Sequence, residues 1–277
     1  MPVDGVPRRW CPRGTPDAGV PGTLHGHAGE TPAAGPRGTA AADARRFAAR
    51  GVRPWRLLPT PAGTPFTFWY TVLLCVTALI AERADPALVH ALLQGSSTDV
   101  AHLVRTPERV LVGSALWVAG GVASPFTAGF VLVLTALERR VGGLRTAGVF
   151  LLGHVLATLA TEVPVGLAVL AGDLPGSSLH RLDYGVSFGV AAACGALAGL
   201  LPLWLRVPLL TAFGGMLVQD LLAFTDPMTE WGHLIALLVG IATWPPVRRW
   251  HAARQPPPLA RPLLRPERRA AGRTGRW

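Results

Sequence analysis

Asp183-Tyr-Gly-Val-Ser-Phe-Gly-Val-Ala-Ala-Ala-Cys-Gly-Ala-Leu-Ala-Gly-Leu-Leu-Pro202 is apolar enough to enter a membrane, and a serine stands at its entrance. Ser187 lies between Gly185 and Gly189, and Gly195 and Gly199 follow on the same helix. Small residues at such spacings let another backbone come close. A second stretch answers it, Glu230-Trp-Gly-His-Leu-Ile-Ala-Leu-Leu-Val-Gly-Ile-Ala-Thr-Trp244. His233 stands near its entrance, with Ala236 and Gly240 four apart below it. A serine and a histidine at one depth on two closely packed helices are a candidate nucleophile and base. The spacing predicts contact between the two helices through Gly195, Gly199, Ala236 and Gly240.

Composition says what kind of frame surrounds the pair. Half of the 277 residues are hydrophobic, 15% are charged and the mean hydropathy is +0.36. That is too apolar for an ordinary soluble domain and points to a polytopic membrane protein. The net charge of +10 comes from arginine alone, since the chain has no lysine. These arginines crowd into the two ends of the chain, as on the cytoplasmic flanks of membrane helices, so nucleic acid is not expected as a partner. Cys11, Cys75 and Cys194 form neither a disulfide framework nor a metal spacing. His25 and His27 lie in a polar segment where solvated side chains are the rule, and no metal or other cofactor is expected.

Residues 1–63, rich in Gly, Pro, Ala and Arg, read as a disordered cytoplasmic tail without a signal peptide. Residues 64–246 read as an all-α membrane domain of six spans, and 247–277 as a second disordered Arg/Pro-rich tail. The first span is about Phe66–Ala81, with Phe68, Trp69 and Tyr70 as an interfacial belt. Glu82 to Val110 is a mixed loop with short surface helices. The second span is about Val118–Leu137 and the third about Thr146–Ala171, with Glu162 and Pro164 marking its outer end. The fourth is about Val186–Leu205, the fifth about Val207–Phe224 and the sixth about Thr229–Trp244, stopped by Pro245-Pro246. With both ends of the chain inside, the inner turns hold Arg139, Arg140, Arg145, Arg206, Arg248 and Arg249, and the last outer loop holds Asp226 and Glu230. Ser187 and His233 then share the outer half of the membrane.

Three motifs in this order carry a resemblance. The fourth span opens Gly185-Val186-Ser187-Phe188, the sixth reads His233-Leu-Ile-Ala236-Leu-Leu-Val-Gly240, and the second ends Glu138-Arg139-Arg140-Val141-Gly142. The chain resembles the rhomboid intramembrane serine proteases over roughly residues 66–245. That resemblance implies a six-helix bundle in which Ser187 is the nucleophile and His233 the general base of a dyad. It also implies a transmembrane protein as substrate, cut near its outer end. The chain departs from the pattern elsewhere. The rhomboid His-x-x-x-Asn motif, whose side chains help hold the oxyanion, is replaced by Val122-Ala-Ser-Pro-Phe126. Phe188 replaces the glycine after the serine, and Ala191 stands where an aromatic often stacks on the histidine.

Ser187 needs a base to take its proton, and His233 is the histidine placed for it. The backbone amide of Ser187, at a helix N-terminus, is an oxyanion donor that needs no motif. Asp220 on the fifth span is a candidate carboxylate partner for His233. His154, deep in the third span, reads as an interhelical hydrogen-bond partner. The leading expectation is a rhomboid-like serine peptidase of the plasma (inner) membrane, with cytoplasmic arginines drawn to anionic lipid. The alternative is a pseudoprotease that binds membrane helices without chemistry, which the missing oxyanion side chains favour. A small transporter is a third class; the chain has no inverted repeat to support it.

Overall fold

A proline in the first helical turn sacrifices no hydrogen bond, because that N–H has no partner inside the helix. Prolines accordingly punctuate this chain. The computed structural model describes residues 58–118 and 125–255. In order these form α1 (Pro65–Arg83), α2 (Pro86–Gly95), α3 (Val100–Arg105), α4 (Pro107–Ser114), α5 (Pro125–Val141) and α6 (Gly143–Ala171). A 3₁₀ turn at Gly176–His180 leads to α7 (Ser187–Ala198), α8 (Leu203–Ala223), α9 (Pro227–Ala242) and α10 (Trp244–Arg254). No strand occurs among the described residues. Three helices, α1, α6 and α8, are long and apolar enough to cross a membrane. The segment from Glu82 to Val110 forms short helices, as its interrupted apolar runs predict.

The central helix is α7. Phe188, Gly189 and Ala191 through Ala198 are all buried. Its alanines and glycines permit this, because neighbouring backbones can lie directly on them. A Cβ on Gly240 of α9 would overlap the Ala192 carbonyl, one on Gly195 would meet the Leu237 carbonyl, and one on Gly153 of α6 would overlap Ala192. The expected contact through Gly195, Ala236 and Gly240 is therefore present. Gly199 differs: it faces the Trp244 indole at the start of α10.

Several boundaries differ from the reading of the sequence: the second helix runs on to Val141, and the fifth starts at Leu203 with Pro208 inside it. The fourth helix is 12 residues long, not a span reaching Leu205. At ~1.5 Å per residue it covers ~18 Å, short of a ~30 Å hydrocarbon core. It ends because Pro202 has no N–H to continue it and instead begins α8 as its N-cap. The third helix runs 29 residues without stopping at Glu162 or Pro164, and ends where Gly172 turns left-handed at φ +86°. Glu162 is buried and paired with Arg181 at the end of the bundle that carries Ser187. The C-terminal boundary at residue 247 also moves. Pro245 and Pro246 do not stop the chain but fill the first turn of α10, and Val247 is fully buried. Residues 1–57, 119–124 and 256–277 lie outside the described residues, and with them Cys11, His25, His27, Val122 and most of both expected tails.

At the end of the bundle opposite Ser187, charges lock the helices together. The Glu138 carboxylate of α5 accepts from Phe66 N at 3.0 Å, Thr67 N at 2.7 Å and Thr67 Oγ1 at 2.6 Å. A carboxylate is favourable there, where the first N–H groups of α1 point outward. Arg206 donates to the last carbonyl of α7, at Ala198, and to Leu201 O in the turn after it, both at 2.9 Å. Its guanidinium and that of Arg248 each lie 5.0 Å from the Trp244 ring centre. Trp244 in turn donates to Gly195 O at 2.8 Å, so this tryptophan is a packing wedge as well as an end marker.

Candidate functional site

Ser187 is the first residue of α7, where the backbone N–H groups have no helical acceptor. The stretch of chain leading to it is strapped down on both sides. Gly185 N donates to Ser114 O at 3.0 Å and Val186 N to Trp117 O at 3.2 Å. Just before these, Thr98 N donates to Asp183 O at 2.8 Å and Asp183 N to Ser97 Oγ at 3.0 Å. Between these straps Gly185 takes φ +133°, a conformation that side chains avoid. The outcome is a serine exposed at the head of an otherwise buried helix, its hydroxyl bonded to no described residue.

His233 is in the second turn of α9 and half-buried. Its Nδ1 lies 3.2 Å from Glu230 Oε2. The Phe188 ring stands edge-on to the imidazole, with centres 5.1 Å apart and planes at 74°. Gly232 makes room for that ring, since a Cβ there would overlap it. Phe188 is thus the aromatic neighbour of the histidine, three positions earlier than the place where Ala191 stands. The Nε2 of His233 has no partner among the described residues, and no hydrogen bond joins Ser187 to His233 directly. Ser187 and His233 stand on helices in backbone contact, and neither the Ser187 hydroxyl nor His233 Nε2 makes a hydrogen bond among the described residues. Asp220 makes no hydrogen bond to His233; the carboxylate on the histidine is Glu230. The sequence signal for this pair is a Glu and a His three apart on one helix face.

An ion network braces the end of the bundle that carries Ser187. Arg181 Nη2 lies 2.7 Å from Glu162 Oε1 of α6, and its Nη1 lies 3.0 Å from Asp226 Oδ1, the N-cap of α9. Arg181 also donates to Thr229 Oγ1 at 3.3 Å. Burial opposes the Arg181 charge, but the hydrogen bond and charge of Glu162 outweigh it and hold the proton more firmly than usual. The pKa of Asp183, between Arg181 and Ser187, is also raised, which for a carboxyl disfavours the charged form. Its burial raises the pKa, and the nearby Arg181 charge and Thr98 hydroxyl only partly offset this.

On the other side of Ser187, a small polar cleft of about 20 Å³ is lined by Thr98, His154, Thr158, Asp183, Ser187 and Thr229 among others. His154 is 2% exposed and its Nε2 lies 3.1 Å from both Ser114 Oγ and Leu111 O, an interhelical role as expected. Among the described residues no group of three or more His, Cys, Asp or Glu side chains is arranged to hold a metal.

The comparisons with known proteins bear on this arrangement. The family model described as rhomboid-like protein matches residues 62–253, which contain every helix of the bundle to within one residue of its end. No curated protein and no solved structure matches the chain.

Proposed function

Because this chain belongs to the rhomboid-like protein family and carries apolar membrane-length helices, we propose that it is an intramembrane serine peptidase with Ser187 as nucleophile and His233 as general base. The observation behind this reading is the exposed, unbonded Ser187 hydroxyl at the head of a buried helix, with an unbonded His233 Nε2 on the neighbouring helix. In the reaction, Ser187 Oγ forms a bond to the scissile carbonyl carbon while its proton passes to His233 Nε2. The oxyanion is met by backbone N–H groups at the start of α7, which already point outward. Collapse breaks the C–N bond, and the imidazolium gives its proton to the leaving amine. A water then hydrolyses the ester by the same route in reverse. The reading requires the pair to close on substrate, as catalytic hydrogen bonds that are long in apo structures often do.

The substrate is a transmembrane protein cut near its outer end. Both ends of the chain are cytoplasmic, the protein resides in the plasma (inner) membrane, and its cytoplasmic arginines are attracted to anionic lipid at ~1 kcal/mol each. A second reading, a pseudoprotease that binds membrane helices, is favoured by the missing His-x-x-x-Asn motif. Each lost oxyanion donor typically costs ~10²–10³ in rate, so turnover by this chain is slow.

Fluorophosphonate labelling in detergent decides between the two. Wild type is expected to label, and Ser187→Ala and His233→Ala to abolish labelling together with cleavage of a synthetic transmembrane substrate. Labelling that survives Ser187→Ala, or is absent from well-folded wild type, makes the chain a pseudoprotease.

A further inference from the structure

We propose that Glu230 is a third member of the site, a carboxylate that holds His233 in the tautomer and orientation in which Nε2 is the base. The inference rests on the Ser187–His233 reading and departs from the dyad that the rhomboid resemblance implies. Glu230 Oε2 lies 3.2 Å from His233 Nδ1. The two side chains are equally shielded, at 17% and 16% exposure, so their contact is sheltered from bulk water. Residues three apart on a helix face each other, and this pair is anchored at its root. Glu230 is in the first turn of α9, whose N-cap Asp226 accepts from Thr229 N at 3.3 Å and is itself tied to Arg181. The Phe188 ring also packs against the imidazole and limits its rotation.

A neutral imidazole carries one N–H, and only the nitrogen without it accepts a proton. An ionised carboxylate accepts only. Glu230 therefore selects Nδ1–H, and the lone pair falls on Nε2, the atom left unbonded. As Ser187 gives up its proton, the same carboxylate faces the imidazolium that forms. The other charged groups on the elements packed around His233 have their own partners or keep their distance. Arg181 is occupied by Glu162 of α6 and by Asp226, Asp220 of α8 makes no hydrogen bond to the histidine, and α7 presents Ser187 and Phe188. Glu230 is a positioning residue, since it acts through His233 and does not touch the reacting carbonyl.

Two measurements on the full chain in detergent test this. The first is ¹⁵N NMR of imidazole-labelled protein. Wild type is expected to hold His233 as the Nδ1–H tautomer, and Glu230→Gln to lose that preference; an Nε2–H tautomer in wild type overturns the proposal without reference to activity. The second is kinetics of fluorophosphonate labelling and synthetic-substrate cleavage. Glu230→Gln and Glu230→Ala are expected to lower the labelling rate and kcat by about 10²–10⁴-fold. KM and the melting temperature should stay near wild type, and Glu230→Asp should recover part of the rate. A labelling wild type whose rate is indifferent to Glu230→Gln overturns the triad and leaves the dyad. A folded wild type that does not label overturns the peptidase reading and the triad together.

Discussion

A single buried carboxyl shows how tightly the approach to Ser187 is held. Asp183 O accepts from Thr98 N, its N–H donates to Ser97 Oγ, and its carboxyl Oδ2 accepts from the Thr98 hydroxyl at 3.1 Å. Burial raises its pKa above the ordinary 3.8. With a raised folded-state pKa, the native chain binds the proton more tightly than the unfolded chain. The contribution of Asp183 is then most favourable below the unfolded pKa and is lost as pH rises through the folded one. Asp183→Asn keeps the acceptor for Thr98 and removes the charge. We expect a flatter melting-temperature profile from about pH 4 upward, and a higher melting temperature than wild type at pH 7. A wild-type profile that is flat over that window, or a variant as pH-dependent as wild type, contradicts the assignment. The partner of His233 is a second case in which one side chain decides. Asp220 and Glu230 both lie near the outer ends of helices, so position along the chain makes either a candidate. Asp220, on another helix, reaches the ring only if the two helices are rotated to suit and makes no hydrogen bond to it, whereas Glu230 is one turn from His233 on the same helix and does.

Among the elements, α7 depends on its small residues more than on hydrophobicity. Its neighbours approach until backbone meets backbone, and Gly240 lies against the Ala192 carbonyl. A methyl there has nowhere to go, because a backbone carbonyl on a buried helix cannot swing aside as a flexible side chain does. Overpacking of this kind typically costs ~1–3 kcal/mol. Gly215 on α8 is the natural control, since a Cβ there meets nothing within 4 Å. Replacing a helical glycine by alanine in open space gains roughly 0.5–1 kcal/mol. Gly240→Ala should therefore lower the melting temperature of the purified protein, while Gly215→Ala leaves it unchanged or raises it. Equal tolerance at both positions would contradict the α7–α9 contact. Glycine spacing along each helix is enough to make this contact legible. It does not show that α7 is only 12 residues long, because the apolar run continues to Leu201 and it is Pro202 that ends the helix.

For the whole molecule the question is orientation. Arg140, Arg145, Arg206 and Arg248 gather at one end of the bundle: His251 Nδ1 meets Arg140 O at 3.2 Å, Arg145 lies over Trp250, and Arg206 and Arg248 flank Trp244. Ser187 and the network of Arg181, Glu162 and Asp226 stand at the other. The positive-inside bias then predicts a cytoplasmic arginine end and an outward-facing site. Reporter fusions at Arg145, Pro175, Arg206 and Pro227 are expected to alternate inside, outside, inside, outside. A cytoplasmic signal at Pro175 or Pro227 would break the shared depth of Ser187 and His233.

The amino-acid sequence alone determined the membrane character, the helices that pack through glycine, the rhomboid-like family and the two residues at the heads of adjacent helices. The family follows from the resemblance of three short motifs and the others from composition or spacing along one helix, and all of these survive without knowing how helices are rotated against one another. Tertiary structure decided the rest. It made Phe188 the aromatic neighbour of His233, tied Arg181 across to Glu162 and Asp226, and turned Trp244–Arg254 into a helix of the bundle. A hydrogen bond depends on a few tenths of an ångström and on the direction of a side chain. Both are set by packing between helices far apart in the chain.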